Sequence, residues 1–160
     1  MNRILAALTA LVLAVPATAQ TNIDLGGIAA DPSAPVEVTA DNLNVDQDTG
    51  SAVFSGNVVI GQGDLRLSAP SVQVSYAAET GDITRLQASG GVTFATATEA
   101  AEAQSADYNL ASGLLTLNGD VMLTQGKSAL SSDSMILDLN AGTAQMSGRV
   151  RTVFQQDGNN

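Results

Sequence analysis

The chain reads as an all-β protein, an antiparallel sheet built from repeated hairpins, and three observations lead there. Apolar and polar residues alternate with period two along most of the length. Turn-forming clusters interrupt that alternation at short intervals, and a Gly-x-Val element returns four times.

The ends are set aside first. Met1-Asn2-Arg3 supplies a positive start, Ile4 to Val15 is apolar apart from Thr9, and Ala17-Thr18-Ala19 follows Pro16. Residues 1–19 are therefore expected to be a secretory signal peptide, cleaved after Ala19. The 12 apolar-rich positions from Ile4 to Val15 fall short of the roughly 20 that span a bilayer. Residues 20–35 form an extended lead-in, because Pro32 and Pro35 stop any helix. Ile23, Leu25 and Ile28 equip that lead-in to dock in part on the domain, which is expected over 36–154. Residues 155–160, Gln-Gln-Asp-Gly-Asn-Asn, are a polar tail expected to be disordered.

Within 36–154 the alternating runs are Val36-Glu-Val-Thr, Leu43-Asn-Val-Asp, Leu65-Arg-Leu-Ser, Val72-Gln-Val-Ser-Tyr76, Val92-Thr-Phe94, Leu115-Thr-Leu117 and Leu137-Asp-Leu139. Each describes a strand with one buried and one wet face. Turns are signalled at Asp48-Thr-Gly50, Gly61-Gln-Gly63-Asp64, Glu79-Thr-Gly81-Asp82, Ser112-Gly113, Gln125-Gly126 and Asn140-Ala-Gly142. Sandwich, jelly roll and barrel all accommodate such a series. Ala95 to Ser105 dissents: its alanines favour a helix, but it has no periodic apolar face and reads as a loop or edge strand.

Four units share one frame. They open at Ala40-Asp41-Asn42-Leu43, Ala69-Pro70-Ser71-Val72, Ala106-Asp107-Tyr108-Asn109-Leu110 and Ser132-Asp133-Ser134-Met135. They close at Gly56-Asn57-Val58, Gly90-Gly91-Val92, Gly119-Asp120-Val121 and Gly148-Arg149-Val150, with glycine spacings of 34, 29 and 29. Each unit is one hairpin whose second strand passes through a glycine bulge or bend, giving about eight or more strands in all.

Composition removes whole classes of chemistry. Cys and His are absent, so there is no disulfide framework, no usual zinc, copper or haem site, and no Ser-His or Cys-His nucleophile pair. Two Tyr, three Phe and no Trp are too few for a sugar- or base-stacking platform. Without residues 1–19 the chain keeps 5 basic against 16 acidic residues, which argues against nucleic acid. Gly126-Lys127-Ser128 lacks the first glycine of a phosphate loop, since Val121 stands there, and Gly61-Gln62-Gly63-Asp64 has one carboxylate where calcium needs six to eight oxygens. Asp46/Asp48 and Glu99/Glu102 read as solvated charges. The chain is therefore read as no enzyme, with no cofactor and no metal.

What remains is the inward face of the strands. It comprises Val38, Leu43, Val45, Phe54, Val58, Ile60, Leu65, Leu67, Val72, Val74, Tyr76, Leu86, Val92, Phe94, Leu110, Leu117, Val121, Leu123, Leu137, Leu139 and Val150. These aliphatic positions form either a solid core or the lining of a groove for acyl chains. A chain so buried contributes roughly 0.8 kcal/mol per CH₂ and needs no directional partner.

The stretch Phe54-Ser-Gly-Asn-Val-Val-Ile-Gly-Gln-Gly-Asp-Leu-Arg-Leu-Ser-Ala-Pro-Ser-Val-Gln-Val74 resembles the signature of the LptA/OstA family, F-x-G-N-V-x-V-x-Q-G-x-x-x-L-x-A-D followed by an alternating strand. Leu117-Asn-Gly-Asp-Val-Met-Leu-Thr-Gln-Gly-Lys-Ser-Ala-Leu-Ser-Ser-Asp-Ser-Met135 repeats the frame, and the likeness extends over 36–154. The resemblance implies a twisted, folded-over sheet, the open antiparallel β-jelly roll. It implies a periplasmic carrier that binds the acyl chains of lipopolysaccharide and passes it from inner to outer membrane. It further implies end-to-end homo-oligomers and same-fold partners in both membranes. Within the inward set, the residues expected to line such a groove are Phe54, Val58, Ile60, Leu67, Val72, Val74, Phe94, Leu117, Val121, Leu123 and Leu137. Two departures stand out. Pro70 replaces the family's aspartate and suggests a strand start or edge. Arg66, Arg85, Lys127, Arg149 and Arg151 are the whole cation supply for lipid phosphates. The alternative reading is a structural or adhesive β-repeat protein of the envelope that binds no lipid.

Overall fold

The computed structural model describes residues 22–24 (as backbone), 31 and 33–155. The expected signal peptide, most of the lead-in and residues 156–160 of the tail lie outside that range. The fold is all-β, with eleven strands among the described residues: β1 (Asn22–Asp24), β2 (Glu37–Thr39), β3 (Asn42–Asp46), β4 (Ser51–Gln62), β5 (Leu65–Tyr76), β6 (Ile83–Ala95), β7 (Glu99–Asn109), β8 (Leu114–Gln125), β9 (Ser128–Asp138), β10 (Thr143–Ser147) and β11 (Arg151–Val153). They form one antiparallel sheet in the order β1-β10-β9-β8-β7-β6-β5-β4-β2, with β3 also on β4 and β11 also on β9. Sequence neighbours pair because two- to six-residue turns join them. The path ends at β1 and β2, which do not pair with each other, so the sheet is open.

One line of irregularity folds this sheet over. Strand register shifts between Ser55 and Val58 on β4, Ser68 and Ser71 on β5, Ser89 and Val92 on β6, Glu102 and Ser105 on β7, and Asn118 and Val121 on β8. The four Gly-x-Val elements lie on that line, with Gly56, Gly90, Gly119 and Gly148 all at positive φ. The residue after each is also left-handed: Asn57, Gly91, Asp120 and Arg149. A bulge inserts unpaired residues and bends its strand. Aligned across the sheet, these bulges make a seam that divides it into two half-sheets. The first holds β3, β10, β1 and residues such as 71–76 of β5; the second holds β2, β11 and residues such as 58–62 of β4.

Three non-glycine side chains at the seam are tied across it. Asn57 donates to the Asp41 carboxylate at 2.9 Å, Gln104 donates to Asp120 at 2.7 Å, and Arg149 Nε donates to Asp133 at 2.8 Å. These bonds offset part of the cost of a left-handed L-residue, about 1–2 kcal/mol each. At the remaining crossing Pro70 faces Gly90, 3.2 Å from where a β-carbon would stand.

Three expectations are corrected here. Pro70 is neither a strand start nor an edge; it sits inside β5 with no register partner on β4 or β6. The seam removes the ladder bond that its missing N–H would otherwise forfeit. Ala95 to Ser105 is not a loop or edge: from Glu99 onward it belongs to β7, a central strand between β6 and β8. The third repeat unit is also rephased. Gln104, not Asp107, stands opposite the seam glycine Gly119, as Asp41 stands opposite Gly56 and Asp133 opposite Gly148. Its unit opens at Ala103-Gln104-Ser105-Ala106, three residues earlier than its composition suggests.

Candidate functional site: the apolar interior between the half-sheets

The two half-sheets bury one common core. Val72, Val74, Leu117 and Leu137 come from the first half-sheet, and Val58, Ile60, Leu67, Phe94, Val121 and Leu123 from the second; all ten are buried in one cluster. Phe54, the eleventh expected lining residue, is half-buried and packs against that cluster. Alternation accounts for this convergence. Opposite residues of paired strands share a face, so Phe54, Val72, Ala88, Ala106, Leu117 and Met135 form one inward row across six strands.

The wider inward set holds with exceptions at the two ends. Val38, Tyr76 and Leu110 are half-buried against the core. Leu43, Val45 and Val150 are exposed, contrary to expectation. Leu43 pairs with Phe54 and Val45 with Ala52, so both lie on the inward face, yet β3 is an outermost strand with only the three-residue β2 on the second half-sheet's matching edge. Val150 precedes β11 at the other end, beside exposed Val153 and Phe154. Each end of the interior therefore presents uncovered apolar side chains.

Several interior residues escaped the sequence reading. Ala101 and Ala103 of β7, Leu130 and Met135 of β9, and Ala144 and Met146 of β10 are all buried. The phase of Glu102 and Gln104 on β7 was the available signal, since period two puts the intervening alanines on the other face. Two polar residues were missed as well. Gln62 and Tyr108 are buried, and the Tyr108 hydroxyl donates to Gln62 Oε1 at 3.2 Å, joining the half-sheets across the interior. Gln62 lies two residues beyond Ile60 and so shares its inward face. Burial pushes the Tyr108 phenol above its ordinary value.

Apart from Glu99, which is buried and not the solvated charge expected, the charged groups lie outside this interior. On the outer face of the first half-sheet Arg85 Nε donates to Asp107 at 2.9 and 3.1 Å, and Gln87 adds a bond at 3.1 Å. The Arg85 guanidinium holds the Asp107 carboxyl below the usual carboxylate range, and Gln87 acts in the same sense. Arg149 likewise lowers Asp133 at the seam. Arg66 donates to the carbonyls of Gly63 and Leu65 at 2.6 and 2.8 Å. Glu99 is a buried carboxylate, satisfied by Thr96, Thr98 and Gln125 at 2.8, 2.7 and 3.1 Å. Among the described residues no group of three or more carboxylates is placed to hold a metal ion.

The interior is tightly closed. A cavity of about 10 Å³ remains, lined by Val36, Ile60, Gln62, Leu65, Leu67, Leu86, Tyr108, Leu115 and Leu139 from both half-sheets. Such a volume holds about one water at most.

Comparison with known proteins agrees with this architecture. The family model described as LptA/(LptD N-terminal domain) LPS transport protein matches residues 37–143. An uncharacterized protein of Rhizobium meliloti strain 1021 is 29% identical over 158 residues, spanning 91% of this chain and 85% of that one. Among solved structures, LptH of Pseudomonas aeruginosa, described as the LptA-homologous periplasmic component of the lipopolysaccharide transport device, superimposes with a TM-score of 0.71. That match covers 79% of this chain and 99% of LptH at 17% identity, a likeness of fold.

Proposed function

Since the chain belongs to the LptA/LptD N-terminal-domain family of lipopolysaccharide transport proteins, and so to transport rather than catalysis, we propose that it is a periplasmic carrier. It takes the acyl chains of lipopolysaccharide between its half-sheets and passes the lipid from the inner to the outer membrane. The observation that carries this reading is the interior itself: one aliphatic cluster between two half-sheets, in a sheet that does not close. Each CH₂ entering it contributes about 0.8 kcal/mol without any directional partner. The acidic chain offers little to phosphate, so the acyl chains supply the affinity and the headgroup stays outside.

The two ends extend the proposal to assembly. One end offers β2 and β3 with Leu43 and Val45, among Glu37, Asp41, Asp46 and Asp48; the other offers β1 and β11 with Val150, Val153 and Phe154, near Arg149 and Arg151. Each end thus presents one free edge from each half-sheet. Copies stack end to end through these edges, as do same-fold components in the inner and outer membranes. Depletion of the protein tests the transport role: lipopolysaccharide accumulates at the inner membrane. An unchanged distribution between the membranes overturns the role and favours a lipid-free structural protein.

A further inference from the structure

A segment that belongs to neither half-sheet closes the interior at the β4–β5 turn. Asp31 turns the chain there: its carboxylate accepts from the Ser33 N–H at 2.9 Å and hydroxyl at 2.5 Å, and its carbonyl accepts from Ala34 N–H at 3.1 Å. Beyond that turn the half-buried Val36 packs on the core and forms one wall of the small cavity. The Gln62 side-chain amide donates to the Ala34 carbonyl at 3.3 Å, while its other end accepts from Tyr108. Gln62 and Tyr108 are only 6% and 8% exposed, so this is a buried polar chain from the segment through the second half-sheet to the first.

The attachment is slight. Among the described residues it amounts to one long hydrogen bond, the Ala34 side chain over the turn and one valine, and residues 33–36 contribute no strand pairing before β2 begins at Glu37. Segments with so few buried contacts open at the lowest free energy. The interior, in contrast, is closely packed, with about 10 Å³ of open space beside Val36.

We infer that residues 33–36 are a displaceable strap over the acyl-chain site, latched by Gln62 and lifted when the chain enters. The inference rests on the carrier reading above. An incoming methylene chain replaces the apolar contact of Val36. Lifting the strap frees a buried amide that needs a new acceptor, and the ester or amide carbonyl at the head of an acyl chain is such a group. The strap therefore opposes entry of anything that cannot refill both places.

The geometry permits a direct test. The chain has no cysteine, and the Ala34 β-carbon lies 3.8 Å from where a β-carbon on Gly63 would stand, within the ~3.5–4.5 Å that a disulfide requires. A cysteine at Gly63 is strained by the φ of +58° in both redox states, so the two states of the A34C/G63C double variant are compared with each other: purified lipopolysaccharide binds the oxidised form at least about tenfold more weakly than the reduced form. Equal affinity of oxidised and reduced forms overturns the strap and leaves the carrier reading intact. Wild type that fails to retain lipopolysaccharide overturns the carrier reading itself. Val36→Ser probes the same contact without a crosslink: association with lipopolysaccharide becomes about threefold faster. An unchanged or slower association contradicts the strap.

Discussion

Leu123 and Leu43 are both leucines on the inward face of a strand, but Leu123 is fully buried and Leu43 is 56% exposed. Their local patterns are alike: each alternates with polar or outward neighbours, and each pairs with an inward residue of the next strand. The difference lies across the interior. Leu123 sits mid-sheet, where the opposing half-sheet covers it, whereas Leu43 sits on an outermost strand where the facing edge is short. Burial in this fold is thus conferred by the opposite half-sheet, and the seam that brings the half-sheets together is what makes an interior at all. The ends have the interior's composition without its cover, which suits them to another copy of the same sheet.

The largest effect that sharpens this contrast is on stability. Leu123→Ala is expected to cost about 3 kcal/mol, as truncation of a covered side chain does, while Leu43→Ala stays within about 0.5 kcal/mol. Urea unfolding of the two variants decides it, and equal costs would break the comparison. The seam comes next. A β-carbon at Gly56 would stand 2.7 Å from Asp41 Oδ2 at a φ of +80°, whereas at Gly91 it meets nothing within 4 Å at a φ of +98°. Gly56→Ala is therefore expected to cost about 1–3 kcal/mol and more than Gly91→Ala in the same unfolding experiment.

The smallest effect is electrostatic. Asp107 is held low by Arg85, so the stabilisation it contributes is present above the unfolded carboxylate pKa of about 3.9. It is lost as pH falls through the lower folded value. Wild type exceeds Asp107→Asn in stability by a few tenths of a kcal/mol near neutrality, as exposed pairs do. That margin shrinks as the medium is acidified below about pH 4. A margin that grows on acidification contradicts the assignment.

Much of this was legible in the chain because alternation is a local property. Val72-Gln-Val74 and Leu115-Thr-Leu117 declare their faces without reference to any other strand, and the Gly-x-Val spacing marks the seam. The first part of β7 was not legible because Ala101 and Ala103, its inward positions there, have small side chains that give a weak apolar signal and favour helix in isolation. Neighbours on both sides hold it in the sheet. Pro70 misled for a related reason: the ladder gap that tolerates it exists only once β4, β5 and β6 are aligned. The inward placement of residues such as Val72 and Leu137 was legible from their faces, but that of Gln62 and Tyr108 was not. A polar side chain enters an apolar interior when a partner from a strand 46 residues away meets it, and no local pattern encodes that meeting. The exposure of Leu43 and Val45 depends on the length of β2, a non-local fact of the same kind.

The central claim is that the covered interior holds lipid and the uncovered ends hold protein. A photo-crosslinking residue placed in cells at Leu123 and, separately, at Val45 tests both parts at once. Leu123 is fully buried between the half-sheets and Val45 lies exposed at one end. The expected result is a lipopolysaccharide adduct from position 123 and a protein adduct, with a second copy or a same-fold partner, from position 45. Lipopolysaccharide captured at 45 but not at 123, with both variants folded, contradicts the account.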